Sequence, residues 1–156
     1  MAKVKKVKKK RKRKEIQEDL VKNMRTWQGI ENKSIASTGR VIEKTKNPIV
    51  RLVMEIIQRD SQMHYRVQEY IADSLTTKAV SLTPDELADV WEMIEEHIAL
   101  ERRTLRLAQD AIESIKGSKG MLVQAYLLEY LMEDEQKHNQ LLDRLNNIQK
   151  GMYPYG

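Results

Sequence analysis

Hydrophobic residues recur every three or four positions in four long segments of the chain. Prolines at 48 and 84 and glycines at 117 and 120 separate these segments. This spacing is typical of amphipathic helices, and it predicts helices over residues 15–44, 48–75, 84–116 and 120–149. Strand signals are missing, since β-branched residues do not alternate with polar ones and no Asn-Gly or Asp-Gly turn occurs. Long helices joined mostly by short loops predict an all-α four-helix bundle.

Two helix starts have clear local signals. Asn47 precedes Pro48, which disfavours a helical conformation at Asn47 and suits the first turn of the next helix. Thr83 is placed to cap the third helix, with Pro84 at its first position. We therefore expect the second helix to begin at Pro48 and the third at Pro84.

Ionisable side chains interrupt the apolar stripe near the middle of each predicted helix. Glu101 follows Ile94 by seven residues and precedes Leu105 by four, so it shares their face. By the same spacing, polar residues fall on the stripes of the other helices: Glu31 with Trp27, Ile30 and Val41; His64 with Ile57, Val67 and Ile71; Glu135 and His138 with Leu131 and Leu142. If the helices form a bundle, these groups converge at one level.

Buried carboxylates without a compensating charge are costly, so this convergence points to a bound cation. Oxygen and imidazole ligands without sulfur suit iron or manganese, with zinc as a substitute. Taken singly, an inward histidine is more often a hydrogen-bonded core residue, and an inward glutamate can reflect a misjudged helix phase. Together the groups favour a metal site, for which the candidates are Glu31, Asp60, His64, His97, Glu101, Glu135 and His138.

The two halves of the chain carry a similar arrangement. In each half, a helix with a central glutamate, Glu31 or Glu101, is followed by a helix with a central histidine, His64 or His138. Two copies of a helical hairpin, each supplying half of a metal site, would explain this near-repeat.

The order of Glu, then His, then Glu, then Glu-x-x-His, with "EYLMEDEQKHNQLL" in the last helix, resembles the ferritin-like di-iron carboxylate proteins, especially rubrerythrins and bacterioferritins. The resemblance covers about residues 20–149. It implies Glu31 and Glu101 as terminal ligands, Glu135 as a bridging carboxylate, and His64 and His138 as nitrogen ligands. It also implies one or two bound ions, iron- or peroxide-handling oxidoreductase chemistry, and assembly into a homo-oligomer.

The second helix departs from that pattern. Ser61 stands three residues before His64, where the family has a bridging glutamate. Asp60 is adjacent but lies in a different direction on the helix, and His97 could add a ligand one turn before Glu101. A single or asymmetric ion is therefore as well supported as a symmetric pair. The alternative function is an interaction protein with a degenerate metal site that contacts nucleic acid or a protein partner through its tails.

Charge divides the chain into a basic tail and an acidic body. Residues 1–14 hold ten of the 28 basic residues and no acid, which leaves 18 basic against 23 acidic residues in the remainder. We expect a disordered tail over residues 1–14, a bundle over 15–149 and a C-terminal tail over 150–156 that packs on the bundle. The basic tail is either a solvated arm or a nonspecific nucleic-acid contact. In the second case, the residues involved are Lys8, Lys9, Lys10, Arg11, Lys12, Arg13 and Lys14.

The sequence also bounds the compartment and the chemistry. It contains no cysteine, which excludes disulfides, thiolate metal sites and a rubredoxin-type electron-delivery centre. Uncharged runs such as "MLVQAYLL" are much shorter than the ~20 apolar residues that a membrane span requires, and no signal peptide follows the basic start. We therefore expect a soluble, cytoplasmic protein without a membrane partner.

Overall fold

The computed structural model describes residues 11–152, and all regular structure in this range is helical. The five helices are α1 (Arg13–Lys44), α2 (Pro48–Thr76), α3 (Pro84–Ala88), α4 (Trp91–Ile115) and α5 (Leu122–Gln149). The chain divides into two compact units, Met1–Val80 and Ser81–Gly156. The all-α prediction is thus confirmed.

The observed start of α1 corrects the predicted boundary of the basic tail. The helix begins at Arg13 rather than at Glu15, and the backbone N–H of Lys12 donates to the Glu15 carboxylate over 3.2 Å. A carboxylate in the first turn stabilises the positive end of the helix dipole, which favours this earlier start. Residues 1–10, where the rest of the expected tail lies, and residues 153–156 of the C-terminal tail are outside the described range.

The starts of α2 and α3 confirm the capping predictions. The side-chain oxygen of Asn47 accepts from the N–H groups of Ile49 and Val50 at 2.9 and 3.1 Å. At α3, the Glu86 carboxylate accepts from the Thr83 N–H at 2.7 Å and the Thr83 hydroxyl accepts from the Glu86 N–H at 3.4 Å, which forms a capping box. The hydroxyl of Ser81, followed by the Thr83 groups, lowers the pKa of the Glu86 carboxyl.

The predicted third helix is interrupted soon after it begins. A turn at Asp89 and Val90 separates α3 from α4, and Val90 has φ −119° and ψ 1°. Its N–H bonds to the carbonyl of Leu87, three residues back, at 3.2 Å. No proline or glycine lies there, so the prediction of one continuous helix over 84–116 was wrong without a sequence signal for the break.

In the N-terminal unit, α1 and α2 form a hairpin whose interface is largely polar. Five of its buried residues are polar or charged: Gln28, Glu31, Thr38, Ser61 and Gln68. The Ser34 and Ser61 hydroxyl oxygens are 2.9 Å apart, and the Gln58 amide donates to the Ile35 carbonyl at 3.1 Å. These side-chain hydrogen bonds satisfy groups that would otherwise be buried without partners.

The apolar stripe of this hairpin lies beside the interface instead of inside it. Trp27 is 47% exposed and Ile30 is 58% exposed, although the sequence analysis placed both on one inward face with Glu31. At ~100° per residue, the exposed stripes of α1 and α2 lie about 80 to 90° from the buried faces, turned in the same sense on both helices. In an antiparallel hairpin, equal offsets of this kind put both stripes on the same side.

In the C-terminal unit, α4 packs against α5, and α3 contacts both. Leu87 and Ala108 are its buried apolar residues, while Met93, Leu100 and Leu107 recur at seven-residue spacing along α4 and stay exposed. This hairpin also has an apolar stripe beside its helix contact. Within residues 11–152, no helix combines the length and apolar character needed to cross a membrane.

Candidate metal centre

Three ligand-type side chains meet where α4 faces α5. Glu101, Glu135 and His138 each offer one atom to a cluster whose atoms all lie within 4.8 Å of one another. Nδ1 of His138 is 3.2 Å from Oε2 of Glu101 and 3.9 Å from Oε2 of Glu135. The structure therefore brings together three of the seven candidate metal ligands.

Helical spacing explains how these side chains converge. Glu101 lies seven residues before the buried Ala108 on α4, so it points toward the neighbouring helix. Glu135 and His138 are three residues apart on α5 and therefore share a face. The Glu-x-x-His spacing on one helix and a single glutamate on the other thus produce one cluster.

Neighbouring groups hold the ligand atoms in place. The Thr104 hydroxyl donates to Oε2 of Glu135 at 2.7 Å, which leaves Oε1 of that carboxylate for another partner. The other ring nitrogen of His138, Nε2, lies 3.4 Å from Oδ2 of Asp134, and Asp134 also pairs with Lys137. A carboxylate beside the non-coordinating nitrogen is the usual way that proteins orient a metal-binding imidazole.

Asn139 links the backbones on the two sides of the cluster. Its side-chain nitrogen donates to the carbonyl oxygen of Glu101 at 3.3 Å and to that of Glu135 at 2.9 Å. The sequence analysis missed both Thr104 and Asn139. Their positions three residues after Glu101 and four after Glu135 were the available signal, because such residues lie on the same helix face.

The cluster fits a first-row divalent cation. Ligands that each lie ~2.1 Å from one ion are about 3.0 to 3.4 Å apart at right or tetrahedral angles, and about 4.2 Å apart on opposite sides. The observed 3.2 and 3.9 Å fall in that range. The Glu101 side chain is 14% exposed and that of His138 is 39% exposed, so water can reach the remaining coordination positions.

His97 lies at the edge of the cluster. Its Nε2 is 3.0 Å from Oε1 of Glu101, one turn away on α4, and its side chain is 57% exposed. Oε1 and Oε2 of Glu101 thus face different histidines, His97 and His138. A hydrogen bond from a protonated ring nitrogen of His97 would orient Glu101 without any direct contact to an ion.

The N-terminal hairpin contains the matching Glu–His pair. Nδ1 of His64 lies 3.4 Å from Oε1 of the buried Glu31, although the His64 side chain is 57% exposed. Ser61 is buried against Ser34, and Asp60 is exposed. The structure thus pairs two of the predicted ligands here, while Asp60 is not among the residues that contact Glu31.

The basic residues at the start of α1 are partly neutralised by acids of the same helix. Arg11 pairs with Asp19, and Lys14 lies 3.7 Å from Glu18. Lys12 and Arg13 are exposed. Lys8, Lys9 and Lys10 lie outside the described residues, so the predicted polyanion contact stays a prediction.

Comparison with known proteins adds no further constraint. No family model matches this chain. Searches among curated proteins and among solved structures also give no match. The functional argument therefore rests on the residues and geometry described above.

Proposed function

We propose that this chain is a ferritin-like metalloprotein that binds iron or manganese, with its principal ion between Glu101, Glu135 and His138. One observation carries the proposal: two carboxylates and one imidazole converge within 4.8 Å across one helical hairpin. Two acids and a histidine brought this close in a half-buried position are stabilised by a shared cation.

The donor set favours the choice of metal. Two carboxylate oxygens and one imidazole nitrogen, with no thiolate, suit iron and manganese, while zinc can occupy the same ligands. Three protein ligands leave coordination positions for water or substrate. Bound iron would supply redox chemistry toward Fe(II) or peroxide, which makes a ferroxidase-like oxidoreductase the proposed enzyme class.

The residues of the chain have separate roles in this proposal. Glu101, Glu135 and His138 bind the ion, and Thr104 fixes the Glu135 carboxylate through its 2.7 Å hydrogen bond. Asp134 orients the imidazole of His138 from the opposite ring nitrogen. Asn139 holds the α4 and α5 backbones at the spacing that the ligands require.

The proposed architecture is a four-helix bundle that buries the exposed apolar stripes. Trp27, Ile30 and Val67 on the N-terminal hairpin, and Leu100 and Leu107 on the C-terminal hairpin, are all at least 47% exposed. Packing such stripes against each other, within one chain or between copies in a homo-oligomer, removes this apolar area from water. The same packing would bring Glu31 and His64 toward the shared core.

A second candidate function is an interaction protein that retains a ferritin-like fold but has lost two-metal chemistry. The observation that favours it is the buried Ser61, whose hydroxyl is 2.9 Å from that of Ser34 where the family resemblance calls for a carboxylate. Under this alternative, the basic N-terminal residues contact nucleic acid or another partner by charge.

Anaerobic Fe(II) titration by calorimetry distinguishes the two candidates. The metalloprotein proposal expects His138→Ala and Glu135→Ala each to abolish the tightest binding event. Glu96→Ala, an exposed glutamate on α4, serves as the matched control and should bind as the parent does. Absence of a binding event in the parent, or equal losses in all three variants, would favour the interaction protein.

A further inference from the structure

A buried amide in the N-terminal hairpin has an unsatisfied oxygen. Gln68 is 3% exposed, and its Oε1 is the buried side-chain atom without a hydrogen-bond partner among residues 11–152. Buried polar atoms in folded proteins nearly always have a partner, so this atom points to a ligand or solvent molecule at that position. The other end of the same amide, Nε2, lies 3.2 Å from Oε1 of Glu31.

Gln68 shares a helix face with His64, which lies one turn earlier on α2. Both residues approach the same atom, since Nδ1 of His64 is 3.4 Å from Oε1 of Glu31. One carboxylate, one imidazole and one amide therefore converge inside a single hairpin. Ser61, at the position where the family pattern has its second carboxylate, contacts Ser34 instead.

We propose that Glu31, His64 and Gln68 form a second divalent-cation site in the N-terminal hairpin, in which the amide oxygen of Gln68 takes the place of the missing carboxylate. Without an ion, the amide directs its N–H toward Glu31 and leaves its oxygen unpaired. With an ion, the terminal torsion turns over and the oxygen faces the carboxylate. Such sp² torsions are broad and roughly two-fold, so both orientations are accessible.

The spacing of the three groups supports this assignment. After the amide turns, its oxygen occupies the position now held by Nε2, 3.2 Å from Glu31. Two oxygen ligands in adjacent positions on an ion ~2.2 Å away are about 3.1 Å apart. Two oxygens at that distance repel each other unless a cation lies between them. The ion thus satisfies both the buried carboxylate and the amide oxygen.

The chemistry of this site differs from that of the C-terminal cluster. It has one carboxylate instead of two, so its net charge is lower and its affinity for a divalent ion is weaker. A carboxylate and an amide oxygen suit Mn²⁺ and similar hard ions. The inference requires no packing between the two hairpins, and it stands or falls separately from the proposed function.

Mn²⁺ titration of the full chain, followed by the electron paramagnetic resonance signal of the free ion, tests the site. In a His138→Ala background, which removes the C-terminal cluster, we expect one Mn²⁺ per chain to remain. Adding Gln68→Leu should abolish this binding, and adding Gln68→Glu should tighten it by about tenfold through the extra charge. Circular dichroism melting verifies that each variant is folded.

Gln28 provides the matched control. It is also a buried glutamine of this hairpin, but both ends of its amide are satisfied, by Arg25 at 3.0 Å and by the Tyr65 carbonyl at 3.2 Å. Gln28→Leu should therefore leave Mn²⁺ binding unchanged. The inference is overturned if Gln68→Leu binds Mn²⁺ as the His138→Ala parent does, or if Gln28→Leu and Gln68→Leu lose it equally.

Each proposal has its own pattern of failure. Binding in the wild type that disappears entirely in His138→Ala overturns the second site and leaves the proposed function intact. Binding that is unaffected by His138→Ala but lost with Gln68→Leu supports the second site and contradicts the proposed function. Two ions in the wild type, each removed by its own variant, support both.

Discussion

Nδ1 of His138 lies 3.2 Å from Oε2 of Glu101, across the contact between α4 and α5. The corresponding pair of the other hairpin, His64 and Glu31, has a separation of 3.4 Å. Each half of the chain therefore joins its central glutamate to its central histidine. The near-repeat in the sequence corresponds to a repeated contact in the structure, and the two contacts differ in the groups around them.

The hydroxyl of Thr104 is expected to tune metal affinity without contacting the ion. Thr104→Val keeps the side-chain shape but removes the donor to Glu135, and loss of such an outer hydrogen bond typically weakens binding by about 10- to 100-fold. Competition titration with a metal-sensitive dye measures the change. Ser114→Ala removes a hydroxyl of the same helix that bonds only to the Ala111 carbonyl, at 2.7 Å, and should leave the affinity unchanged. Equal affinity in Thr104→Val and the parent would remove Thr104 from the site.

Ser61→Glu tests the lost carboxylate of α2. The substitution buries a new acid near Glu31, which should destabilise the metal-free protein by raising the repulsion between buried charges. Bound metal should offset this effect, raise the metal-to-protein ratio and accelerate oxygen-dependent Fe(II) oxidation. Thermal midpoints with and without metal check both signs.

Asp60→Ala is the control for that experiment. Asp60 is exposed, so its truncation should change neither the thermal midpoint nor the metal content. If Asp60→Ala loses metal, Asp60 already replaces the missing carboxylate. If Ser61→Glu changes neither stoichiometry nor rate, the two-metal chemistry of the ferritin-like family does not apply to this hairpin.

The exposed stripe of α1 predicts sensitivity to charge. Ile30→Glu places a carboxylate on the stripe, and if another hairpin covers the stripe, unfolding should become easier by roughly 1 to 3 kcal/mol. Asn32→Glu puts the same charge on an exposed position that faces away from the stripe, and it should have little effect. Denaturant titration and light scattering measure stability and oligomeric state. Identical behaviour of the two variants would mean that the stripe is solvated.

Removal of residues 2–10 separates the basic tail from the helical body. These residues include six lysines, and the Lys12–Glu15 bond that caps α1 remains. Helicity and metal content should be retained, while salt-sensitive binding to DNA should be lost, with a slope reduced by ~0.9 for each phosphate contact removed. An unchanged slope would place any polyanion contact on the folded residues.

The sequence predicted helix ends well where local chemistry determines them. Pro48 and Thr83 mark the starts of α2 and α3, because a proline or a capping side chain acts on the backbone beside it. The turn at Val90 carries no such residue and was missed. For the same reason the phase of α1 was only partly predicted. Periodicity locates the stripe that includes Ile30, but it does not say which neighbour covers that stripe.

The candidate site was predictable in its ligands and not in its surroundings. Glu-x-x-His on α5 and a glutamate on α4 are visible as spacings, and the structure places those three groups together. The partners of the ligands depend on how two helices meet across the hairpin. The bond from Thr104 to Glu135 and the contact of Gln68 with Glu31 both span helices, so no spacing within one helix revealed them.

Elemental analysis of the protein purified without an affinity tag tests the central claim most directly. Plasma mass spectrometry should find at least about half an equivalent of iron, manganese or zinc per chain, because the clustered carboxylates and imidazole otherwise lack a compensating charge. Reconstitution with Fe(II) or Mn(II) should raise this value. Less than about a tenth of an equivalent, with no uptake on reconstitution, would contradict the assignment of Glu101, Glu135 and His138 as a metal site.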